Sequence, residues 1–286
     1  MTDFQMPSPA AGSETPRLTD RAALLRNRQR ALSSDTPALF LQEAAIEEVQ
    51  HRLSLVNRTF TKPAIVTGFP KIWQAAFPEA VIVPDDDVLA LEVGQFDLVI
   101  HAMALHWAND PVGQIIQSRR ALQPDGFFLA VSFGGQTLSQ LRAALAEAEV
   151  EQAGGLSPRV LPMAEIRDLG ALLQRSDLAL PVADNLALDV SYQTAFHLMR
   201  DLRAMGEANA LQARLRHPTR PSVLRRAAEI YQDHHADAAG RIHATYELVF
   251  LTGWSPDDSQ PKPLRPGSAT MRLAEALGTQ ETKLPD

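Results

Sequence analysis

The sequence predicts an α/β domain, a mostly parallel sheet with helices on both faces and a helical insertion near the C-terminal strands. Three observations carry this. Between residues 62 and 135, short apolar runs alternate with segments of helical periodicity, the pattern of βαβ units. The candidate strands at 64–66, 80–83, 96–100 and 127–133 hardly alternate apolar with polar side chains, as expected of strands covered on both faces. The run from Phe96 to Ile100 then passes through a loop and a helix at 111–122 to a Pro124-Asp125-Gly126 turn and the next strand.

The elements follow in order. Residues 1–18 carry Pro7, Pro9, Gly12 and Pro16 among small polar side chains, a composition that does not support a packed element, and read as a disordered tail. Residues 19–60 form a helical lead-in, with Leu39, Ala44, Ile46, Val49, Leu53 and Val56 near helical spacing. The main domain spans 61–255. Beyond Gly135 it holds helices at 137–150 and 164–175, strands at 187–192 and 244–254, and a helical lobe at about 193–240 with amphipathic helices at 194–213 and 223–237. Residues 256–286, rich in proline, glycine and charge, read as a surface tail with at most one short helix, near 269–277.

Composition excludes several functions. The chain has 286 residues and a formal net charge of −7, which gives no general attraction to nucleic acid. It contains no cysteine, so disulfides, thiolate metal sites and a cysteine nucleophile are ruled out. No apolar run approaches the roughly 18 to 20 residues of a membrane helix. The N-terminus lacks an apolar signal core, and Asp3, Glu14 and Asp20 argue against an arginine-rich leader, so a cytoplasmic location is expected.

In an open α/β sheet the ligand crevice lies beyond the carboxyl ends of the strands. His101, His106 and Trp107, in the stretch from Phe96 to Pro111, should therefore sit at its mouth. Further blocks follow: Phe133-Gly134-Gly135, Gly154-Gly155-Leu156-Ser157-Pro158, Asp168-Leu169-Gly170, Asp201-Leu202 with Met205-Gly206-Glu207, and Ala244-Thr245-Tyr246 through Gly253-Trp254. In this order they resemble the class I methyltransferase superfamily with its Rossmann-like sheet, and within it the respiratory complex I assembly factor 5 family, which is also similar to malonyl-carrier-protein methyltransferases.

The resemblance implies S-adenosylmethionine as cofactor and, in the mitochondrial relatives, hydroxylation of an arginine on a complex I subunit. It places the cofactor against Thr67, Gly68, Asp85, His101, His106 and Trp107. The family's first loop is an acid followed by glycines, because only glycine lets the backbone come close to the ligand. Here that loop is Ile65-Val66-Thr67-Gly68-Phe69-Pro70, in which Gly68 alone remains. The acid for the ribose hydroxyls corresponds to Asp85, beside Asp86 and Asp87. From Asp87 the chain runs directly to Phe96, too short for the usual helix and third strand.

Each candidate also has a plainer role. Gly68 suits a strand-ending turn, and the three aspartates suit a solvated loop or helix cap. His101 and His106 are candidate bases or metal ligands, with pocket lining or a satisfied core position as the plainer reading of each; no histidine–carboxylate pattern of the non-haem iron kind accompanies them, so no metal is expected. Trp107 reads as a pocket wall or hydrophobic lid, with plain core packing as the alternative. His234 and His235 are adjacent on a helix and diverge by about a hundred degrees. Asp201 and Glu207 either face the crevice from the lobe or pair with nearby arginines. Arg200, Arg203, Arg214, Arg216, Arg220, Arg225 and Arg226 form solvated faces or a docking surface for an acidic partner. The expected function is to modify or assist a protein substrate, a complex I subunit, during assembly. An active S-adenosylmethionine-dependent methyltransferase and a non-enzymatic binding factor stand as alternatives.

Overall fold

The computed structural model describes residues 17–261 and 273–279. The chain divides after Pro256 into a large unit and a small one. The tail expected at 1–18 lies, up to residue 16, outside the described residues, as do 262–272 and 280–286. In the small unit a short helix α9 (Leu273–Ala276) is described.

The large unit opens with two helices, α1 (Arg21–Leu32) and α2 (Phe40–Leu55). Asp20 starts α1 by accepting a hydrogen bond from the Ala23 amide, which satisfies one of the free donors at a helix N-terminus. Then come β1 (Pro63–Thr67), α3 (Pro70–Ala76), β2 (Val81–Val83) and β3 (Phe96–Ala102). A 3-10 turn at Leu105–Trp107 leads to α4 (Pro111–Ala121) and β4 (Leu122–Phe133). The remainder is α5 (Ser139–Ala153), α6 (Ile166–Arg175), β5 (Ala179–Tyr192), α7 (Ala195–Ala204), α8 (Pro221–His235) and β6 (Ile242–Trp254).

The six strands form one sheet in the order β2-β1-β3-β4-β6-β5. The first four run parallel, β6 is antiparallel to β4, and β5 is antiparallel to β6. The sheet is mostly parallel with helices on both faces, as the sequence predicts. Alternate residues of each strand feed opposite layers. Ile65, Leu98, Ile100, Leu129, Val131 and Phe250 pack with side chains of α2, α3, α5, α7 and α8. Ala64, Val99, Phe128, Ala130 and Leu251 pack with Ile115 of α4 and Leu173 of α6. Both layers are thus apolar, which is why the strands read as continuous hydrophobic runs.

Two differences from the sequence expectation have local causes. Strand β5 begins eight residues earlier than expected, at Ala179. It pairs only with β6 at the sheet edge, where Pro181 and exposed polar side chains are tolerated and a register shift falls between Ala179 and Val182. Helix α7 ends at Ala204 instead of running on to 213. Gly206 adopts φ +80°, the Gly206 amide donates to Arg203 O (3.2 Å) and the Glu207 amide to Leu202 O (2.9 Å), the paired bonds of a glycine-terminated helix. Between Val83 and Phe96 no strand forms, so β2 is the sheet edge where the family's third strand would lie.

Candidate functional site

At the carboxyl end of β1, the Thr67 hydroxyl accepts from the Phe69 amide at 3.1 Å and closes the turn, and Pro70 opens α3 at its first position. Gly68 faces the guanidinium of Arg28, and a methyl group at this position would overlap it. Arg28 comes from α1. Its Nη1 donates to both oxygens of Asp85, at 2.8 and 2.9 Å, and both side chains are 3% exposed. Arg21, one helical face away by two turns, adds longer bonds to Asp85 (3.2 and 3.4 Å) and reaches Asp86 at 3.1 Å. Burial by itself would raise the Asp85 carboxyl, but Arg28 and Arg21 outweigh it and hold it far below the usual carboxylate range. The Arg28 guanidinium also lies 5.7 Å from the centre of the Phe69 ring.

A nucleoside seated here in the ancestral manner needs a glycine surface it can approach and an acid whose oxygens are free for the ribose hydroxyls. Both are taken by Arg28. The residues present do not fit S-adenosylmethionine in that mode.

His101, in β3, is fully buried, and its Nε2 lies 2.7 Å from Gln114 Oε1. Gln114 in turn donates to the Asp86 carbonyl at 3.0 Å, which ties the end of β3 to the aspartate loop. Burial pushes the imidazole down to about 4, against the Gln114 hydrogen bond. In the unfolded chain the ring takes its proton near pH 6.5. The contribution of this group is therefore complete above about pH 6.5 and is lost as pH falls from there towards 4. Stability should drop by about 2 kcal/mol between pH 7 and 5 on this account. Urea midpoints at the two pH values test this, and a His101→Asn variant with an undiminished pH dependence would refute it.

The second cluster lies beyond β3. Met103 takes φ +50° with its amide bonded to Val131 O at 2.9 Å, and this left-handed residue turns the chain into the 3-10 segment. His106 packs on Phe133, ring centres 4.8 Å apart, with Nδ1 3.2 Å from the Ser132 hydroxyl. The Trp107 indole N–H donates to Glu207 Oε2 at 2.6 Å, and His106 Nε2 stands 3.4 Å from the same oxygen. Glu207 Oε1 is buried without a hydrogen-bond partner. Burial raises this carboxyl, but His106, Arg28 and Trp107 outweigh that and hold it below the usual range. Trp107 and Glu207 line a cavity of about 720 Å³ with Phe133, Leu141, Leu202 and Tyr246. His106 lines a smaller one of about 270 Å³ with Ser132 and Asp168. None of Thr67, Gly68, Asp85 and His101 lines either cavity.

Of the six residues assigned to the cofactor from the sequence, Thr67 closes the turn after β1 by its bond from the Phe69 amide, and the other five fall into two groups. Gly68 and Asp85 meet through Arg28, and His101 joins them through Gln114, while His106 and Trp107 gather around Glu207. Arg28 went unnoticed in the sequence. Its only signal was the seven-residue spacing from Arg21, which puts two cations on one helix face with three aspartates elsewhere in the chain. Glu207 pairs with Trp107 and His106 and not with the lobe arginines. Of those, Arg214 and Arg216 bind Asp20, and Arg226 binds Glu151.

The methyltransferase domain family matches residues 64–130, the stretch from β1 into β4. The chain is 38% identical over 196 residues to the mitochondrial arginine-hydroxylase NDUFAF5 of Dictyostelium discoideum, and 35% identical over 212 residues to that of Homo sapiens. These matches take in 68% and 74% of this chain. The chain is a class I methyltransferase-fold protein of the NDUFAF5 family. It spans 45% of the length of the first relative and 61% of the second. Among solved structures, the YcgJ protein of Bacillus subtilis is similar in fold, with a TM-score of 0.50 at 11% identity, covering 74% of this chain and 99% of that one.

Membership corrects one expectation. Both relatives are named mitochondrial, so the cytoplasmic location inferred for this chain does not stand. Charge and hydropathy over the first twenty residues carry no information about the compartment of the domain that follows them. No helix among the described residues is long and apolar enough to cross a membrane. Among the same residues no group of three or more histidines and carboxylates is arranged to hold a metal ion.

Proposed function

We propose that the chain acts on a protein substrate, a respiratory complex I subunit, during assembly of that complex, and that it does so without seating S-adenosylmethionine against Gly68 and Asp85. One observation carries the second half: the buried Arg28–Asp85 pair, which occupies both the glycine surface and the acid. Support for the first half comes from the relatives named arginine-hydroxylase NDUFAF5. The residues left to engage a substrate are those of the 720 Å³ cavity, which has the size of an ordinary small-ligand or side-chain site. Its walls bind and exclude water, and Glu207 presents a carboxylate to whatever enters.

Two measurements test this. Deleting the gene should leave the respiratory NADH dehydrogenase incompletely assembled, and normal assembly in the deletion strain would refute the assembly role. Calorimetry of the purified protein with S-adenosylmethionine should give no heat at millimolar ligand. Stoichiometric binding weakened by Asp85→Asn would restore the methyltransferase reading, which the match to the methyltransferase domain over residues 64–130 keeps in play.

A further inference from the structure

Near the end of β4, Phe128, Ala130 and Ser132 share one face of the strand, and the first two are buried in the apolar layer against α4 and α6. Ser132 closes that row with a hydroxyl and is 1% exposed. Its Oγ lies 3.2 Å from His106 Nδ1, and His106 Nε2 lies 3.4 Å from Glu207 Oε2. Side chains from β4, the 3-10 turn and the segment after α7 thus form one line of hydroxyl, imidazole and carboxylate.

The carboxylate decides the tautomer. At neutral pH Glu207 is ionised and only accepts hydrogen bonds. His106 Nε2 therefore carries the ring proton, and Nδ1 keeps the lone pair to which the Ser132 hydroxyl donates. The line opens into the 270 Å³ cavity, where Ser132 and His106 meet apolar walls that include Leu105, Leu169 and Leu172. Asn109 lines the same cavity: its Oδ1 accepts from the Thr19 amide at 2.9 Å, and its Nδ2 is buried with no hydrogen-bond partner among the described residues. A buried donor left unanswered is costly, and an oxygen of a bound ligand is the group that answers it.

We propose that Ser132, His106 and Glu207 form a nucleophile, base and orienting carboxylate that hydrolyse esters of short acyl groups, with Asn109 Nδ2 as donor to the acyl oxygen. The Ser132 hydroxyl adds to the ester carbonyl carbon as its proton passes to His106 Nδ1; the bond to the leaving alkoxide then breaks, and that proton departs with it. Water repeats the sequence on the acyl-serine, releasing a carboxylic acid and restoring the hydroxyl, so nothing is oxidised or reduced. Asn109 meets the negative charge that develops on the carbonyl oxygen. Glu207 is a positioning residue, acting through the tautomer of His106. Separations of 3.2 and 3.4 Å are those of a catalytic line that tightens when substrate arrives. The small apolar cavity sets the class of acyl group, short and aliphatic. This activity goes beyond the action proposed on a complex I subunit and does not depend on it.

The test uses two probes on the purified full chain, p-nitrophenyl acetate for turnover and diethyl p-nitrophenyl phosphate for a stable adduct. The unaltered protein should hydrolyse the acetate and take up one diethylphosphoryl group, which peptide mass mapping should place on Ser132. Ser132→Ala should lose both. His106→Ala should slow hydrolysis by at least about a hundredfold. Glu207→Gln should slow it by about a hundredfold or more at neutral pH, and its rate should keep climbing with pH where that of the unaltered protein levels off, because a wrongly protonated imidazole leaves only hydroxide to take the serine proton. A merely structural Glu207 would not change the shape of that profile. p-Nitrophenyl octanoate should react more slowly than the acetate, and the reverse order overturns the assignment to short acyl groups. No adduct on the unaltered protein, an adduct on another residue, or hydrolysis that survives Ser132→Ala overturns the site. Adduct mapping is made on the unaltered protein, so it decides the matter even if a variant fails to fold.

Discussion

Replacing Arg28 with alanine should lower the unfolding free energy by about 3 to 5 kcal/mol, towards the lower figure because Arg21 still donates to Asp85. The cause is not the loss of attraction itself. Removing the guanidinium leaves a carboxylate that is 3% exposed with only long bonds to answer its charge. Since a whole domain is stable by about 5 to 15 kcal/mol, the variant should be marginal at ambient temperature. Urea unfolding measures this directly. Adding Asp85→Asn to the Arg28→Ala background should recover part of the loss, because the uncompensated charge is then gone. If the double variant is less stable than the single one, the pair is not what holds α1 to the aspartate loop. The sign with pH follows from the lowered Asp85 carboxyl. Its stabilisation is present above the unfolded value near pH 4 and is lost as pH falls below it towards the folded value, so the unaltered protein should lose this contribution in acid while Arg28→Ala has little of it to lose.

Trp107→Ala should cost a similar amount, about 3 to 5 kcal/mol, for a different reason. Trp107 is 3% exposed and packs with Ala23, Leu24, Leu161, Ala210 and Leu211, so truncation opens a void between α1 and the loop after α7. The change also removes the donor to Glu207 Oε2. Trp107→Phe largely separates the two effects: it keeps most of the apolar volume while losing the N–H and a small part of the ring, with an expected cost of about 1 to 3 kcal/mol. Denaturant midpoints for the two variants should therefore fall in the order Ala below Phe below unaltered protein. Indistinguishable Phe and unaltered proteins would mean that the short bond to Glu207 contributes nothing.

Both substitutions act on the same structural unit. Helix α1 is bound to the loop that follows α7 by backbone bonds from Asp20 to Ala210 O at 2.8 Å and by Asn27 to Ala208 O at 2.9 Å. Gly206 lets the two approach, since a Cβ there would stand 3.0 Å from Arg28 Cα. The glycine that ends α7 thus serves two ends at once, placing Glu207 by its left-handed backbone and admitting Arg28 by its lack of a side chain. Met205-Gly206-Glu207 stood out in the sequence as a family block, and this double demand is a physical reason for it.

The sheet was legible because its determinants are local. Residues 64–66, 96–100 and 127–133 are apolar apart from Asp97 and Ser132 and hardly alternate, and that pattern points to burial on both faces. The missing third strand was legible from length alone, as the eight residues between Asp87 and Phe96 have no room for a helix and a strand. Edge strand β5 was only half legible, since its outer residues face solvent and carry proline and polar groups that read as loop. For the site, the sequence pointed to the right loops but not to their contacts. Gly68 and Asp85 were identifiable as places where a cofactor could sit, and Glu207 as a residue of the crevice or of a helix surface.

By itself, then, the sequence determined the sheet, the family and the loss of the glycine-rich cofactor loop, all of which depend on residue type and spacing along a short stretch. Tertiary structure alone decided what fills the vacated space. Arg28 and Asp85 are 57 positions apart, and Trp107 and Glu207 are 100 apart. No periodicity encodes such a meeting, because it comes from the docking of α1 and the α7 loop onto the strand ends. Only when those surfaces close do a buried cation and a half-satisfied carboxylate acquire their partners, and with them the chemistry of the site.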